Sequence, residues 1–378
     1  LNSKLITILY IITDLNIGGA ENLLFRLLSK LDKDKYNPVV ISIASKGKIG
    51  KKIEKVGIKV FSLNINSFIS LFPGILKLFY RIRIINPRII HTFLVHSALL
   101  SLIAKIKGNS SIIWNIFSSD LSFKSNNYLT VIIIKICALL SKFVPDEIIL
   151  DSESSYRAHK NAGYNDKIMK VIYNGIDNKI FYFNEEIRNA YRKKYFPNND
   201  EIVIGMIARY HLVKGHDVFI KAAGLLSQQI NNVKFLLNGS GVNDKNIELM
   251  RLINNQNIKN ICHFSNEDLD IIEFLSACDI LVSSSYYESF PMMICEAMSS
   301  RIPCVVTNVG DCAKIVADTG IIVDKGDSIA IAKSLVKLIN MNKESRLQLG
   351  KRARLRIKSL FSEKLMIKNY SNTYIKYI

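Results

Sequence analysis

The 378-residue sequence lacks the marks of several protein classes. Its six cysteines stand singly, without a C-x2-C pair, so neither a zinc nor a redox motif is predicted and a reducing, cytoplasmic compartment is expected. No cluster of residues has metal-ligand spacing, so no metal cofactor is expected. The first apolar run, 5–12, is too short for a signal peptide, and the longest, 129–144, is interrupted by Lys135 and Lys142. We therefore expect no segment that spans a membrane.

Acidic residues are scarce in one half of the chain. Residues 1–178 contain 24 Lys and Arg against 12 Asp and Glu, a net charge of +12, whereas residues 179–378 contain 27 against 20, a net charge of +7. The bases are dispersed and lack interleaved aromatic residues, which disfavours nucleic acid as a partner. Dispersed lysine-rich charge suits an anionic membrane surface better, so peripheral association with the inner face of the cell membrane is expected.

One candidate for such contact is the helical pattern at 67–88. Its apolar residues near one face are Phe68, Phe72, Ile75, Phe79 and Ile82, and the bases near another are Lys77, Arg81 and Arg88. Two interpretations remain open, because the apolar face could pack in a core or could lie on anionic lipid.

Apolar, strand-like runs alternate with helical patterns along the whole chain, as is typical of βα units in parallel sheets. These runs are 5–12, 38–43, 58–63, 88–93, 111–116, 147–151, 202–208, 233–238, 259–263, 279–283 and 303–307. The polar segment 183–201 separates the two sets. An α/β chain of two doubly wound, Rossmann-like domains is predicted, with ligands at the carboxyl ends of the strands.

Two glutamates follow the predicted strand 279–283. Glu288 precedes a predicted helix, 291–299, and Glu296 lies inside it. One carboxylate could accept hydroxyls from a sugar and the other a ribose diol, while helix N–H groups face an anion. Alternatively, they are an ordinary first-turn glutamate and a surface glutamate.

Two cations follow the predicted strand 202–208. Arg209 and Lys214 stand five positions apart across a turn into the next helix. Fixed cations at the end of a strand suit a diphosphate, although a pair of solvated surface bases is the alternative.

The end of the first strand carries Gly18 and Gly19, which permit close approach of backbone to a ligand or form a plain tight turn. The spacing is not G-x-G-x-x-G, which disfavours a dinucleotide site. Further along, His91 is predicted to end a strand and His96 to open a helix, whose dipole would keep an imidazole neutral.

An acidic pair, Asp268 and Asp270, has the D-x-D spacing used for metal in other proteins. Both lie at a predicted helix start, where carboxylates favour the helix dipole, so they are interpreted as capping residues.

Together these segments resemble glycosyltransferase family 4, whose pattern reads S-x-x-E-G-F-P-x4-E-A-M-x-x-G-x-P-V-V. The matching residues are Ser285, Glu288, Phe290, Pro291, Glu296, Ala297, Met298 and Pro303, followed by Val305 and Val306 one position later than in the pattern, whereas Ser289 and Arg301 replace two glycines. The family's G-R-x4-K-G is matched at Arg209, Lys214 and Gly215, and its G-G-A-E at 18–21. Similar stretches occur at 146–154, 172–181, 236–241 and 308–316.

The resemblance implies a GT-B fold, in which an acceptor-side domain, 1–178, faces a donor-binding domain, 179–378, across a cleft. It also implies that the final helices return to the first domain. The implied reaction retains anomeric configuration and moves a hexose-type sugar, from a UDP-sugar rather than a GDP-sugar, to a lipid-linked glycan of a bacterial envelope polysaccharide. No metal is implied.

The resemblance also assigns roles to individual residues. Arg209 and Lys214 would neutralise the leaving diphosphate, Glu288 would position the donor sugar, and His96 would contact a hydroxyl of that sugar. The other implied donor contacts are Gly18, Gly19, Gly239, Gly241, Phe290, Met292 and Glu296. Two alternatives remain, a nucleotide-sugar 2-epimerase of the same architecture and a non-catalytic protein that binds anionic surfaces.

Overall fold

The computed structural model describes residues 5–123, 126–196, 201–265 and 270–378. The chain forms two compact units, one of residues 1–174 together with 365–378 and the other of residues 175–364. The sequence placed the boundary after residue 178 and expected the final helices to join the first domain. Within the described residues, no helix combines the length and apolar character needed to cross a bilayer.

The first unit is a seven-stranded parallel sheet with helices on both faces. Its strands are β1 Ile6–Ile12, β2 Tyr36–Ser42, β3 Lys59–Ser62, β4 Ile89–Phe93, β5 Ser111–Ile116, β6 Glu147–Leu150 and β7 Met169–Val171. Its helices are α1 Gly19–Lys30, α2 Gly47–Lys55, α3 Phe68–Ile85, α4 Val95–Leu100, α5 Leu102–Lys107, α6 Tyr128–Leu140 and α7 Glu153–Asn161. The strand order is β3-β2-β1-β4-β5-β6-β7.

The second unit repeats this plan with six parallel strands in the order β10-β9-β8-β11-β12-β13. They are β8 Ile202–Ile207, β9 Val233–Asn238, β10 Cys262–Phe264, β11 Ile280–Ser283, β12 Cys304–Thr307 and β13 Ile321–Val323. The helices are α8 Glu185–Tyr195, α9 His216–Ser227, α10 Ile247–Asn255, α11 Ile271–Ala277, α12 Met292–Ser299, α13 Cys312–Val316, α14 Ser328–Asn340 and α15 Lys343–Leu360. The prediction of two doubly wound, Rossmann-like domains is confirmed.

Helix α16, Glu363–Ile375, ends the chain. Its residues from Leu365 onward belong to the first unit, where Met366, Tyr370 and Tyr374 join the core formed with α1 and α2. The hydroxyl of Tyr10 donates to that of Tyr374 at 3.1 Å in this core. The chain end is therefore part of the first unit's packing.

Of the two interpretations of the apolar face at 67–88, core packing describes three of its residues, whereas Phe72 is exposed. Ile82 is buried, and Ile75 and Phe79 are half-buried, so these residues point toward the sheet; the side chain of Phe68 lies outside the described residues. The predicted bases make internal contacts. Lys77 donates to the Ser62 carbonyl, Arg81 covers the Phe61 ring, and Arg88 donates to the Tyr377 carbonyl.

Candidate functional site

The candidate site of the second unit lies at the point of its sheet where the order of the strands reverses. β8 and β11 are neighbours in the sheet although β9 and β10 separate them in sequence. The carboxyl ends of two such strands leave a crevice between the loops that follow them, and open α/β sheets bind ligands there. Segment 208–215 follows β8 and segment 284–291 follows β11, so two predicted motifs occupy this position.

Gly215 allows the two loops to touch. Its φ is +66°, and a Cβ at this position would lie 2.1 Å from the carbonyl oxygen of Ser284. Any side chain would therefore collide with backbone. The Ser284 hydroxyl donates to the Gly215 carbonyl at 2.8 Å, and the Tyr286 N–H donates to the Val213 carbonyl at 2.8 Å. These contacts fix the position of the adjacent Lys214.

Lys214 and Glu288 form an ion pair at the centre of the site. The Nζ atom of Lys214, which ends the short 3-10 helix Leu212–Lys214, lies 2.6 Å from Oε1 of Glu288. The Ser285 hydroxyl donates to the same oxygen at 2.7 Å. The two charged side chains are only 23% and 14% exposed, so water screens their attraction weakly. The motifs alone did not predict this contact, because it depends on β8 and β11 being adjacent.

A cavity of about 250 Å³ lies beside this pair. Lys214 and Glu288 line it together with Phe290 and Met292, which were predicted to contact the donor. Phe290 is buried, and its ring lies 5.7 Å from that of Phe361. The other lining residues are Met206, Ile207, Ala208, Val282, Ser283, Ser285, Pro291 and Met293. A cation, a carboxylate and an apolar wall suit a ligand that has both an anionic and a hydroxyl-bearing part.

Four predicted site residues of the second unit do not line this cavity, namely Arg209, Glu296, Gly239 and Gly241. Arg209 follows Ala208 and is exposed, and it pairs with no carboxylate among the described residues. Glu296 is half-buried in the second turn of α12. The sequence placed Pro291 inside this helix, whereas it is the N-cap with ψ of 96°, and the helix begins at Met292.

Gly239 and Gly241 shape the loop after β9. Their φ values are +146° and +75°, and a Cβ on Gly239 would lie 2.1 Å from the carbonyl oxygen of Ala208. The Tyr210 N–H donates to the Ser240 carbonyl at 2.8 Å. The glycines therefore bring this loop against the backbone next to Arg209. Their contact with a nucleotide stays a prediction.

The segment 308–310 supports Glu288 from the other side, a role that the sequence did not assign. Gly310 has φ of +55°, and a Cβ there would lie 2.3 Å from the Glu288 carbonyl oxygen. The Asp311 N–H donates to the Ser289 carbonyl at 3.0 Å. The available signal was Gly310, a glycine three residues after the end of β12 in the stretch Thr307-Asn308-Val309-Gly310.

Of the two replaced glycines, only one occupies a left-handed conformation. Arg301 has φ of +64° just beyond the end of α12, whereas Ser289 is not in that region. The Ile302 N–H donates to the Ala297 carbonyl and the Arg301 N–H to the Met298 carbonyl, both at 3.0 Å, which is the Schellman arrangement. Arginine thus stands at the position where glycine is preferred.

In the first unit, the predicted residues follow β1 and β4, which are neighbours in the sheet. Gly18 is the extended N-cap of α1, and a Cβ there would lie 2.2 Å from a Glu21 carboxylate oxygen. No atom lies within 4 Å of a Cβ built on Gly19. His96 is half-buried in the first turn of α4, and burial lowers its pKa, so a neutral imidazole is expected there.

His91 does not end its strand as predicted. It is the middle residue of β4 and fully buried, and its Nδ1 lies 2.8 Å from the hydroxyl of Tyr374. Burial lowers the pKa of His91 to about 3. It therefore belongs to the core of the first unit.

One residue of the acidic D-x-D pair, Asp270, lies within the described part of the chain. Asp270 is the N-cap of α11, and its carboxylate accepts the Ile272 N–H at 2.9 Å, so its capping role is confirmed. Asp268 lies outside the described residues. Across the described parts of the chain, no three His, Cys, Asp or Glu side chains are grouped so as to hold a metal ion.

The sequence of the chain matches two models of glycosyltransferase families. The model of glycosyl transferases group 1 matches residues 187–356, and that of Glycosyltransferase Family 4 matches residues 17–179. The capsular polysaccharide biosynthesis glycosyltransferase CapM of Staphylococcus aureus is 31% identical over 212 residues, which are 54% of this chain and 54% of CapM.

A second relative acts on a lipid-linked sugar according to its name. The N,N'-diacetylbacillosaminyl-diphospho-undecaprenol alpha-1,3-N-acetylgalactosaminyltransferase of Campylobacter jejuni is 28% identical over 206 residues, which are 53% of this chain and 52% of the relative. The chain spans about half the length of these curated relatives.

Among solved structures, HepE from Anabaena in complex with UDP-glucose superimposes with a TM-score of 0.83 at 21% identity. The match covers 98% of this chain and 99% of HepE, and it supports the fold. The two family models match adjoining segments that cover most of the two Rossmann-like units, and Lys214 of the R-x4-K motif lines one cavity with Ser285 and Glu288 of the S-x-x-E motif. The chain belongs to the family 4 glycosyltransferases.

Proposed function

We propose that this protein transfers a hexose-type sugar from a UDP-sugar to a hydroxyl of a lipid-linked glycan, with retention of configuration, during synthesis of a bacterial envelope polysaccharide. The observation that carries the proposal is the cavity at the β8 and β11 ends, where Lys214 and Glu288 meet. The ammonium suits the diphosphate of the donor, and the carboxylate suits the hydroxyls of its sugar.

The exposed Arg209 would bind the same diphosphate from the end of β8. Glu296 would accept the ribose hydroxyls, and the loop of Gly239 and Gly241 would approach the nucleotide with its backbone. In the first unit, His96 would contact a hydroxyl of the transferred sugar, and Gly18 and Gly19 would admit a ligand close to the backbone. Neutral His96 can donate one hydrogen bond and accept another.

In the proposed reaction the leaving group itself acts as the base. The bond between the anomeric carbon and the diphosphate oxygen breaks while the acceptor oxygen bonds to that carbon on the same face. The acceptor proton passes to the departing phosphate oxygen. Arg209 and Lys214 would stabilise the negative charge that grows on the diphosphate, without a metal ion. Glu288 would hold the sugar in a reactive position.

Two similar proteins support the choice of donor and acceptor in this proposal. UDP is favoured because HepE, which shares the fold, was solved with UDP-glucose. The lipid-linked acceptor is favoured by the name of the Campylobacter relative. We propose a cytoplasmic location because the six cysteines are unpaired, and a position on the inner membrane face because residues 1–178 carry a net charge of +12.

Mass spectrometry after incubation with a panel of UDP- and GDP-sugars and a lipid-linked saccharide tests the proposal. We expect the acceptor to gain the mass of one hexose-type residue with a UDP-sugar, and nuclear magnetic resonance to find the donor's anomeric configuration in the product. Transfer from GDP-sugars alone would contradict the UDP assignment. A donor that is converted without any acceptor would identify an epimerase.

A further inference from the structure

One helical layer of the first unit carries an exposed surface in which apolar and basic residues alternate. α3, α5 and α6 pack their inner sides against one face of the sheet, in a core that includes Leu78, Ala104 and Ile134. Their outer sides face solvent. In the described part of the chain, twelve of the twenty-six large exposed apolar side chains lie between Ile69 and Phe143. Exposed apolar area concentrated in this way marks an interaction surface.

On α3 the exposed apolar residues recur every three or four positions, which places them on one side of the helix. They are Ile69, Phe72, Leu76, Tyr80 and Ile84, and each is 53% to 88% exposed. Arg83 is exposed on the same side. The helix is thus apolar on its inner and its outer side, and only the inner side has a partner in the sheet.

α6 presents a similar outer side. Its exposed apolar residues are Tyr128, Leu129, Ile136 and Leu139, and exposed Phe143 lies three residues beyond its end. Lys135 and Lys142 are exposed on this side as well. We call the outer sides of α3 and α6 the basic apolar face.

The charge of this region has one sign. Between Lys55 and Pro145 the sequence contains eleven Lys and Arg but a single carboxylate, Asp120. α3, α5 and α6 contain no acidic residue at all. A second copy of the same face would be repelled, whereas an anionic surface would be attracted.

We infer that the basic apolar face is a docking surface for an anionic lipid bilayer, in which the helices lie flat and their apolar side chains enter the headgroup region. Apolar residues flanked by lysine and arginine on one side of a helix have the character of interfacial helices. Attraction to anionic lipid contributes through each base near the surface. This docking surface rests on the proposed function in one respect, because that function places the protein at a membrane. The residues that form the surface all belong to the first unit.

Vesicle flotation tests this inference with the full chain. The probes are vesicles of phosphatidylcholine alone and of phosphatidylcholine mixed with phosphatidylglycerol in equal parts. We expect binding to the mixed vesicles that weakens as salt rises. Leu76→Gln with Leu139→Gln should lower binding by at least about 10-fold. Lys135→Glu with Lys142→Glu should lower it by about 30-fold.

Matched controls lie in the second unit, on exposed positions of α14 and α15. Ile329→Gln with Leu355→Gln removes the same kind of apolar side chain, and Lys333→Glu with Lys337→Glu makes the same change of charge. Both controls should bind as the wild type does. Absence of binding to mixed vesicles, or equal losses in the control variants, would overturn the inference.

A different occupant would give a different result. If this face joined two copies of the chain, sedimentation would detect a dimer that Leu76→Gln with Leu139→Gln dissociates, without binding to vesicles, and the inference would be wrong. Transfer to a water-soluble saccharide acceptor gives a separate readout. It can succeed while docking fails, and it can fail while docking succeeds.

Discussion

The ion pair between Lys214 and Glu288 gives the most specific prediction for the site. If the ammonium binds the diphosphate and the carboxylate binds the sugar, the two partners contribute differently to binding of UDP, which lacks the sugar. Lys214→Met removes a charged hydrogen bond to the diphosphate worth about 1.5–3 kcal/mol, so UDP should bind roughly 10- to 150-fold more weakly. Glu288→Gln removes the competitor for the ammonium, so UDP should bind equally or more tightly.

The ion pair should also contribute to the free energy of unfolding. Both side chains are largely shielded from water, with Nζ to Oε1 at 2.6 Å, so Lys214→Met removes the ammonium from a carboxylate to which Ser285 still donates. We expect a loss of about 2 kcal/mol in the free energy of unfolding, reduced from the value for a fully buried pair. The double variant with Glu288→Gln should lose less than the sum of the single losses.

Calorimetric titration of UDP and denaturant unfolding measure both effects. Lys221→Met, at an exposed lysine of α9, is the matched control and should change neither quantity. If Glu288→Gln weakened UDP binding as much as Lys214→Met does, the assignment of separate phosphate and sugar roles would be refuted.

Three further predictions follow from particular residues. Glu296→Ala and Arg209→Ala should each lower turnover at least about 10-fold, because each removes a charged hydrogen bond to the donor, and near wild-type kinetics would remove that residue from the site. Arg301→Gly should stabilise the chain by about 1 kcal/mol in thermal or denaturant unfolding, because glycine tolerates the left-handed φ of +64°; a destabilised variant would contradict this. The pKa of His91 is about 3 in the folded chain, so unfolding takes up a proton below about pH 6.5. This proton uptake should lower the free energy of unfolding by about 2 kcal/mol as the pH falls from 7 to 5. His91→Gln should abolish that part of the pH dependence, and an unchanged pH profile would show that His91 is not responsible.

The strands of both sheets were predictable because buried parallel strands are short, nearly continuous apolar runs. The two that were missed, β7 and β13, have three residues each and lie at the sheet edges, so their apolar signal is too brief. His91 was misplaced for a related reason. β4 is buried along its whole length, so a polar residue in it resembles a strand end.

The site was predictable as two motifs but not as one geometry. Spacing within a motif placed Glu288 before a helix and Lys214 after a strand. Their ion pair depends on the order of strands in the sheet, which local spacing does not encode. For α3 the limitation was different, since a helix that is apolar on most sides gives no indication of which side meets the sheet.

Release of UDP distinguishes stabilisation of the diphosphate by Lys214 from stabilisation by a metal ion. Wild-type protein, Lys214→Met and the Lys221→Met control are incubated in excess EDTA with a UDP-sugar, with and without a lipid-linked saccharide, and released UDP is measured. We expect wild-type protein and the control to release UDP only when the acceptor is present, and Lys214→Met to lose nearly all release, if the cations at the strand end act in place of a metal ion as proposed. Release that EDTA abolishes and manganese restores would contradict it.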